Sequence, residues 1–145
     1  MAANQRPVFA LTPKTPTANI SVANTATAAV ASPADATDFR QVYQCSTIEG
    51  SKITLIAYQF IGTGTPSAGI FNIWLTDTLN ANARIIRSVA VSAAAGAITT
   101  ILPGPYAELT FSDFQLQNGQ RIYVSLTTLA ANTTLNVRAS IGDFA

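Results

Sequence analysis

This chain of 145 residues carries eight Lys+Arg against seven Asp+Glu, no histidine and a single cysteine. The commonest general base and the commonest metal ligand are therefore missing, and a net charge of +1, with basic residues spread from Arg6 to Arg138, provides no concentrated stripe for nucleic acid or an anionic membrane. The length fits one domain with its own core, the lone Cys45 excludes an intramolecular disulfide, and a charged fraction of 10%, against the ~25–35% advised for a soluble surface, implies that much of the surface faces other protein.

Residues 1–33 are rich in Ala, Thr, Asn and Pro, and Pro7, Pro13, Pro16 and Pro33 forbid a long helix and most central-strand pairing. They read as an extended arm, with Ile20 and Val22 in a short strand inside it. No continuous apolar run precedes Pro13, so no secretory signal is read there.

The body, residues 34–145, reads as strands. Phe39–Cys45 leads through the turn Glu49-Gly50-Ser51 to Lys52–Ile61, where Ile53, Leu55, Ala57 and Ile61 share one face and Ile56, Tyr58 and Phe60 the other. Cys45, within a strand, reads as a buried small apolar residue rather than a reactive thiol. Gly62–Gly69 has the composition of a hairpin connection. A phosphate loop would need a helix after it, and the next segment is instead the strand Ile70–Thr76, with Phe71, Ile73 and Leu75 inward and Asn72 and Trp74 opposite. Trp74 then anchors an interface, sits beneath the arm, or stacks on a sugar ring.

Asp77–Asn82 is a turn, Arg84–Val91 a strand, Ala93–Gly96 a small-residue link and Ile98–Leu102 a further strand, broken by Pro103-Gly104-Pro105. The apolar stretch from Val89 to Leu102 is shorter than the ~18 residues of a membrane span. Asn118-Gly119, preceded by Phe111, Phe114 and Leu116, signals a turn before Arg121–Thr128. In that strand Ile122, Val124 and Leu126 point inward and Arg121, Tyr123, Ser125 and Thr127 outward. In the last, Leu135, Val137, Ala139 and Ile141 point inward and Asn136, Arg138 and Ser140 outward. Seven or eight strands without an amphipathic helix predict an all-β protein, an antiparallel β-sandwich of jelly-roll-like form with an extended N-terminal arm.

Nothing in the pattern selects a catalytic residue. Asp35 with Asp38, or Asp77 with Glu108, would have to flank a sugar as a glycosidase pair, but Asp35, Asp38 and Asp77 occupy turn-like segments that favour Asp for its own backbone bonding. Serines and threonines lack a histidine partner, and neither Lys14 nor Lys52 has a serine singled out beside it. No Asp-rich loop offers converging oxygens for calcium, and Asn19-Ile-Ser21 and Asn132-Thr-Thr134 are chance glycosylation matches. The expectation is a non-enzyme without cofactor or metal.

The opening Met1-Ala-Ala-Asn-Gln-Arg-Pro-Val-Phe-Ala-Leu-Thr-Pro13, then Val22-Ala-Asn-Thr25, a strand pair joined by Gly62-Thr-Gly-Thr65, and the close Arg138-Ala-Ser-Ile-Gly-Asp-Phe144 resemble small virion proteins of tailed phages. Those proteins tend to open with a Phe-x-Leu-Thr-Pro stretch and to close on Gly-Asp and an aromatic. Where they often carry Asp-Gly-Thr-Gly after the arm, this chain has Ser32-Pro-Ala-Asp-Ala-Thr-Asp38. The resemblance implies a capsid cement (decoration) protein, made in the host cytoplasm and placed on the virion surface, that binds the major capsid protein as a homotrimer. Under that reading Pro7, Val8, Phe9, Leu11 and Pro13 are the arm contacts, with Trp74 and Tyr123 as secondary partner-binding residues. The alternative is a carbohydrate- or host-surface-binding module of a tail or head fibre, with Trp74 and Tyr123 as ring-stacking platforms.

Overall fold

The alternating residues pair into nine strands in a computed structural model that describes residues 11–99 and 104–144. They are β1 (Leu11–Lys14), β2 (Thr17–Ile20), β3 (Arg40–Gln44), β4 (Ser51–Gly62), β5 (Gly69–Leu75), β6 (Arg84–Val91), β7 (Tyr106–Leu116), β8 (Arg121–Leu126) and β9 (Thr133–Phe144). No helix occurs among the described residues. The larger sheet runs β1-β9-β4-β7, with β2 also paired to β9, and the smaller runs β3-β8-β5-β6, every pairing antiparallel. The two sheets close face to face over one main core, which makes the protein a β-sandwich.

Strand parity explains most of that core. Leu135, Val137, Ala139 and Ile141 of β9 are buried, as are Ile122, Val124 and Leu126 of β8 and Phe71 and Ile73 of β5. In β4 the expected faces change partway along the strand. The register slips between Ile53 and Leu55, leaving Thr54 as an extra residue opposite β9. That bulge reverses the alternation, so Ile53 joins Ile56, Tyr58 and Phe60 in the core, and Leu55, Ala57 and Ile61 fall on the outer face.

Two connections expected from composition have a different geometry. Gly62–Gly69 joins strands of different sheets, so it is a crossing between layers and not a hairpin. Ile98 and Thr99 lie outside any strand, Ile98 packing on the core with its N–H donated to Gly64 O at 3.0 Å, and residues 100–102 of that expected strand lie outside the described residues. The Asn118-Gly119 turn is present and also crosses between sheets, from β7 to β8. Gly119 there has φ +91°, and a Cβ on it would sit 2.2 Å from Thr78 O. Gly119→Ala is therefore expected to cost about 1–3 kcal/mol through left-handed strain and that clash, read as a lower urea midpoint with unchanged m-value.

The chain does not divide at residue 33 into arm and body. β1 and β2 are strands of the larger sheet, and the segment after Ile20 crosses to the smaller sheet. Asn24 N–H donates to Leu126 O at 2.8 Å, and Val30 exchanges backbone bonds of 2.9 and 2.8 Å with Ala83. Ile20 ends β2 fully buried, whereas Val22 lies beyond the strand and is half exposed.

Candidate functional site

The end motifs of the sequence meet in space. β1 lies antiparallel to the end of β9, with Leu11 opposite Phe144, Thr12 opposite Asp143, Pro13 opposite Gly142 and Lys14 opposite Ile141. Pro13 is tolerated because β1 is an edge strand. Asp143 continues the inward parity of β9 and is buried, a carboxylate where the pattern calls for an apolar side chain.

Three donors compensate that burial. The Ser51 hydroxyl donates to Asp143 Oδ1 at 2.6 Å, the Tyr43 hydroxyl donates to the same oxygen, and Lys14 Nζ forms an ion pair with Oδ2. Ser51 Oγ is also 2.9 Å from the Tyr43 hydroxyl and 3.2 Å from the sulfur of buried Cys45. Burial alone would raise the Asp143 pKa, but the hydrogen bonds from Lys14, Ser51 and Tyr43 prevail and hold it below the usual carboxylate value. Tyr43 is pushed up to about 12, by burial first and by its bond to Asp143 second. The knot joins β1, β4 and β9 of one sheet to β3 of the other. One carboxylate, one half-exposed ammonium and two hydroxyls in this arrangement fasten strands together.

Trp74 and Tyr123 do not point into solvent, as alternation alone would place them. Both are 0% exposed. They form a second cluster with Phe39 and Ala83 on the outer face of the smaller sheet, roofed by Ala26 and Val30 from the arm segment and by Ile85. Phe39 stacks on Tyr123 at 4.8 Å and meets Trp74 edge-on at 5.3 Å. The indole N–H donates to Ser125 Oγ at 2.9 Å, and the Tyr123 hydroxyl donates to Asn80 Oδ1 at 3.1 Å. Alternation says only that a side chain leaves the core face. It does not say that a further layer waits on the other side.

Of the expected arm contacts, Pro7, Val8 and Phe9 lie outside the described residues, Leu11 begins β1, and Pro13 is exposed on the sheet edge. The chain enters β1 beside Phe144, whose N–H donates to Gly50 O at 3.0 Å, so it enters at the end of the sandwich that carries the β3–β4 loop. Gly119 N–H donates to Cys45 O at 2.8 Å, and Gly119 abuts Thr78, which places the β5–β6 and β7–β8 turns at the same end. Ile48 and Leu79, 89% and 87% exposed, are displayed there. Asp77 acts as a turn former, accepting from the N–H groups of Leu79 and Ala81 at 2.9 and 2.8 Å, whereas Asp35 accepts from the Gln41 N–H at 2.9 Å and Asp38 from the Asn24 side-chain amide at 3.0 Å.

On the outer face of the larger sheet, strand register lines up two rows. Thr17, Arg138, Ala57 and Glu108 form one, and Asn19, Asn136, Gln59 and Tyr106 the next. A shallow depression of about 320 Å³ is bordered there by Gln59, Tyr106, Asn136 and Arg138, with Ala57 fully buried beneath these side chains. Arg138 Nη2 is 3.6 Å from Glu108 Oε1 and donates to the Tyr106 hydroxyl at 3.0 Å, which in turn donates to Glu108.

Among the described residues no group of three or more His, Cys, Asp or Glu gathers to hold a metal ion, and no helix is long and apolar enough to cross a membrane. Compared with known protein families and with curated proteins, the chain matches none.

Proposed function

We propose that this protein is a capsid cement protein of a tailed phage, a jelly-roll sandwich that binds across major capsid protein subunits, as a homotrimer, on the virion surface. The observation that carries the reading is the meeting of the two end motifs on which the resemblance rests, Leu11-Thr-Pro13 paired residue for residue with Gly142-Asp-Phe144. The winding supports the jelly-roll form: β1/β2, β4, β7 and β9 fall in one sheet and β3, β5, β6 and β8 in the other, so the chain passes repeatedly between layers. The action is burial. Apolar contacts made by the segment before Leu11, and by Ile48 and Leu79 at the same end, add about 25 cal/mol per Å² before ordering costs, multiplied over many symmetry-related copies.

The fold dictates where a truncation must stop. Removing residues 2–10 is expected to leave a folded sandwich that no longer co-sediments with undecorated phage shells. Removing residues 2–14 also deletes β1 and Lys14, and is expected to lower stability as well. Light scattering tests the trimer, and normal coating of shells by the 2–10 deletion would sink the arm reading. Burial removes Trp74 and Tyr123 both as ring platforms for the fibre reading and as secondary partner contacts of the cement reading.

A further inference from the structure

Two open sheets have four edges, and an unpaired edge strand invites another chain unless something blunts it. Three of the four are blunted here. β1 and β2 are four residues each, and Pro13 and Pro16 interrupt them. β3 carries a bulge at Val42, and its Gln41 N–H is taken by Asp35 Oδ1 at 2.9 Å. β7 sets residues 111–113 against Thr54 alone, a wide break in its register, and the Arg87 guanidinium donates to its Thr110 O at 3.1 Å. The fourth edge is β6, whose first half holds the bulge at Ile86 and the charges of Arg84 and Arg87. Its second half is bare: residues 88–91 keep regular register with residues 69–72 and contain neither charge nor proline.

We infer that residues 88–91 of β6 pair antiparallel with the same residues of a second copy of this chain, joining the two smaller sheets into one across a twofold axis. Backbone parity dictates which groups are offered. The Thr127 N–H donates to Ile70 O at 3.0 Å and the Ile70 N–H to Thr127 Oγ1 at 2.9 Å, so Ile70 faces β8 and its register partner Ala90 turns both N–H and C=O away from β5. Ser88, two residues earlier, does the same, and both residues are exposed with no backbone bond to another element among the described residues. With Ser88 of one copy opposite Ala90 of the other, each such pair exchanges two hydrogen bonds, and Val89 meets its counterpart at the axis.

Charge selects a second copy as the occupant. In this register Arg87 lies opposite Val91 of the other copy, so the cationic halves of the two strands point apart and no arginine faces an arginine. The pairing also covers Val89, which is only partly buried at the core margin. Each edge accepts one partner, so the contact is isologous and closes on itself. It uses neither the segment before Leu11 nor the end that displays Ile48 and Leu79, and is separate from the shell contacts proposed above. So short an edge buries less than the ~1,200–2,000 Å² of a stable complex, which makes the association weak in dilute solution and dependent on concentration.

The test is sedimentation equilibrium of the full chain from micromolar to millimolar concentration, with amide hydrogen exchange on the same samples. The expected result is a weight-average mass that rises with concentration towards at least twice its dilute value, whether the dilute species is a monomer or a trimer. The Ser88 and Ala90 amides should gain protection in the concentrated samples alone. Ala90→Pro removes the outward donor without touching the ladder to β5, a placement that an edge strand tolerates. It should keep the wild-type circular dichroism and hold its dilute mass at every concentration. A wild-type mass that ignores concentration, Ser88 and Ala90 amides that exchange freely in concentrated samples, or association unaltered in folded Ala90→Pro would each overturn the pairing. If the variant fails to fold, exchange in the wild type still decides. Dilute Ala90→Pro is expected to co-sediment with undecorated shells as the wild type does, so the pairing and the cement function stand or fall separately.

Discussion

Trp74→Ala is expected to be the most damaging single substitution in the protein, at about 3–5 kcal/mol. The indole is fully buried against Phe39 and Tyr123, and its N–H satisfies Ser125 Oγ, which is itself buried. Removing it leaves a cavity and an unpaired hydroxyl at once. Since a domain of this size has about 5–15 kcal/mol in total, the variant should sit close to unfolding at room temperature. Urea titration monitored by far-ultraviolet circular dichroism reads the loss without relying on tryptophan emission. Trp74→Phe, which keeps an aromatic against Phe39 but drops the bond to Ser125, should cost less. A Trp74→Ala stability within about 1 kcal/mol of wild type would mean that the segment carrying Ala26 and Val30 does not roof the cluster.

Asp143→Ala should cost about 2–3 kcal/mol. It leaves the hydroxyls of Tyr43 and Ser51 without their acceptor, whereas Lys14, 43% exposed, can turn to water and moderates the loss. The same carboxylate gives the stability curve an acid limb. Its folded pKa is lowered, so its contribution is fully present above the unfolded-chain value of about 4 and is lost as pH falls through the lower folded value. Tyr43 provides the alkaline limb. Its folded pKa of about 12 lies above the ordinary 10.0, so its contribution is fully present below pH 10 and is lost as pH rises through 12. Urea midpoints across acidic and alkaline buffers should show both limbs in the wild type. Asp143→Ala should flatten the acid one, and Tyr43→Phe the alkaline one. An acid limb unchanged in Asp143→Ala would assign the pH dependence to other carboxylates.

The sequence makes some of this legible and hides the rest for identifiable reasons. Leu135 to Ile141 alternates without interruption, and there the inward face follows directly from a period of two; Arg84 to Val91 has the bounds read from the sequence, but a bulge in its pairing with β5 puts Ile85 and Val89 on opposite faces. Thr54 defeats the same reasoning in β4, because a bulge adds a residue without changing composition. Gly62–Gly69 announces a chain reversal, but glycine and proline content carries no information about which sheet receives the next strand. Alternation places Trp74 and Tyr123 opposite the main core, where they are found, but their burial depends on a roof of Ala26 and Val30, side chains too small to show amphipathic patterning. Asp143 is readable in principle, as an acid at an apolar position whose neutralising partner, Lys14, lies more than a hundred residues earlier.

The pairing of β1 and β2 with β9 also sets an order of events during synthesis. These strands leave the ribosome before the rest of the sandwich, and the partner they need is not made until the chain has passed Thr133. The β5–β6 hairpin closes over a short turn and can form within microseconds of emerging, while the larger sheet must wait for a loop spanning most of the chain to close. A nascent chain therefore holds β1 and β2 without their partner while the rest of the sandwich is made, and those strands are what chaperones and proteases meet before β9 arrives.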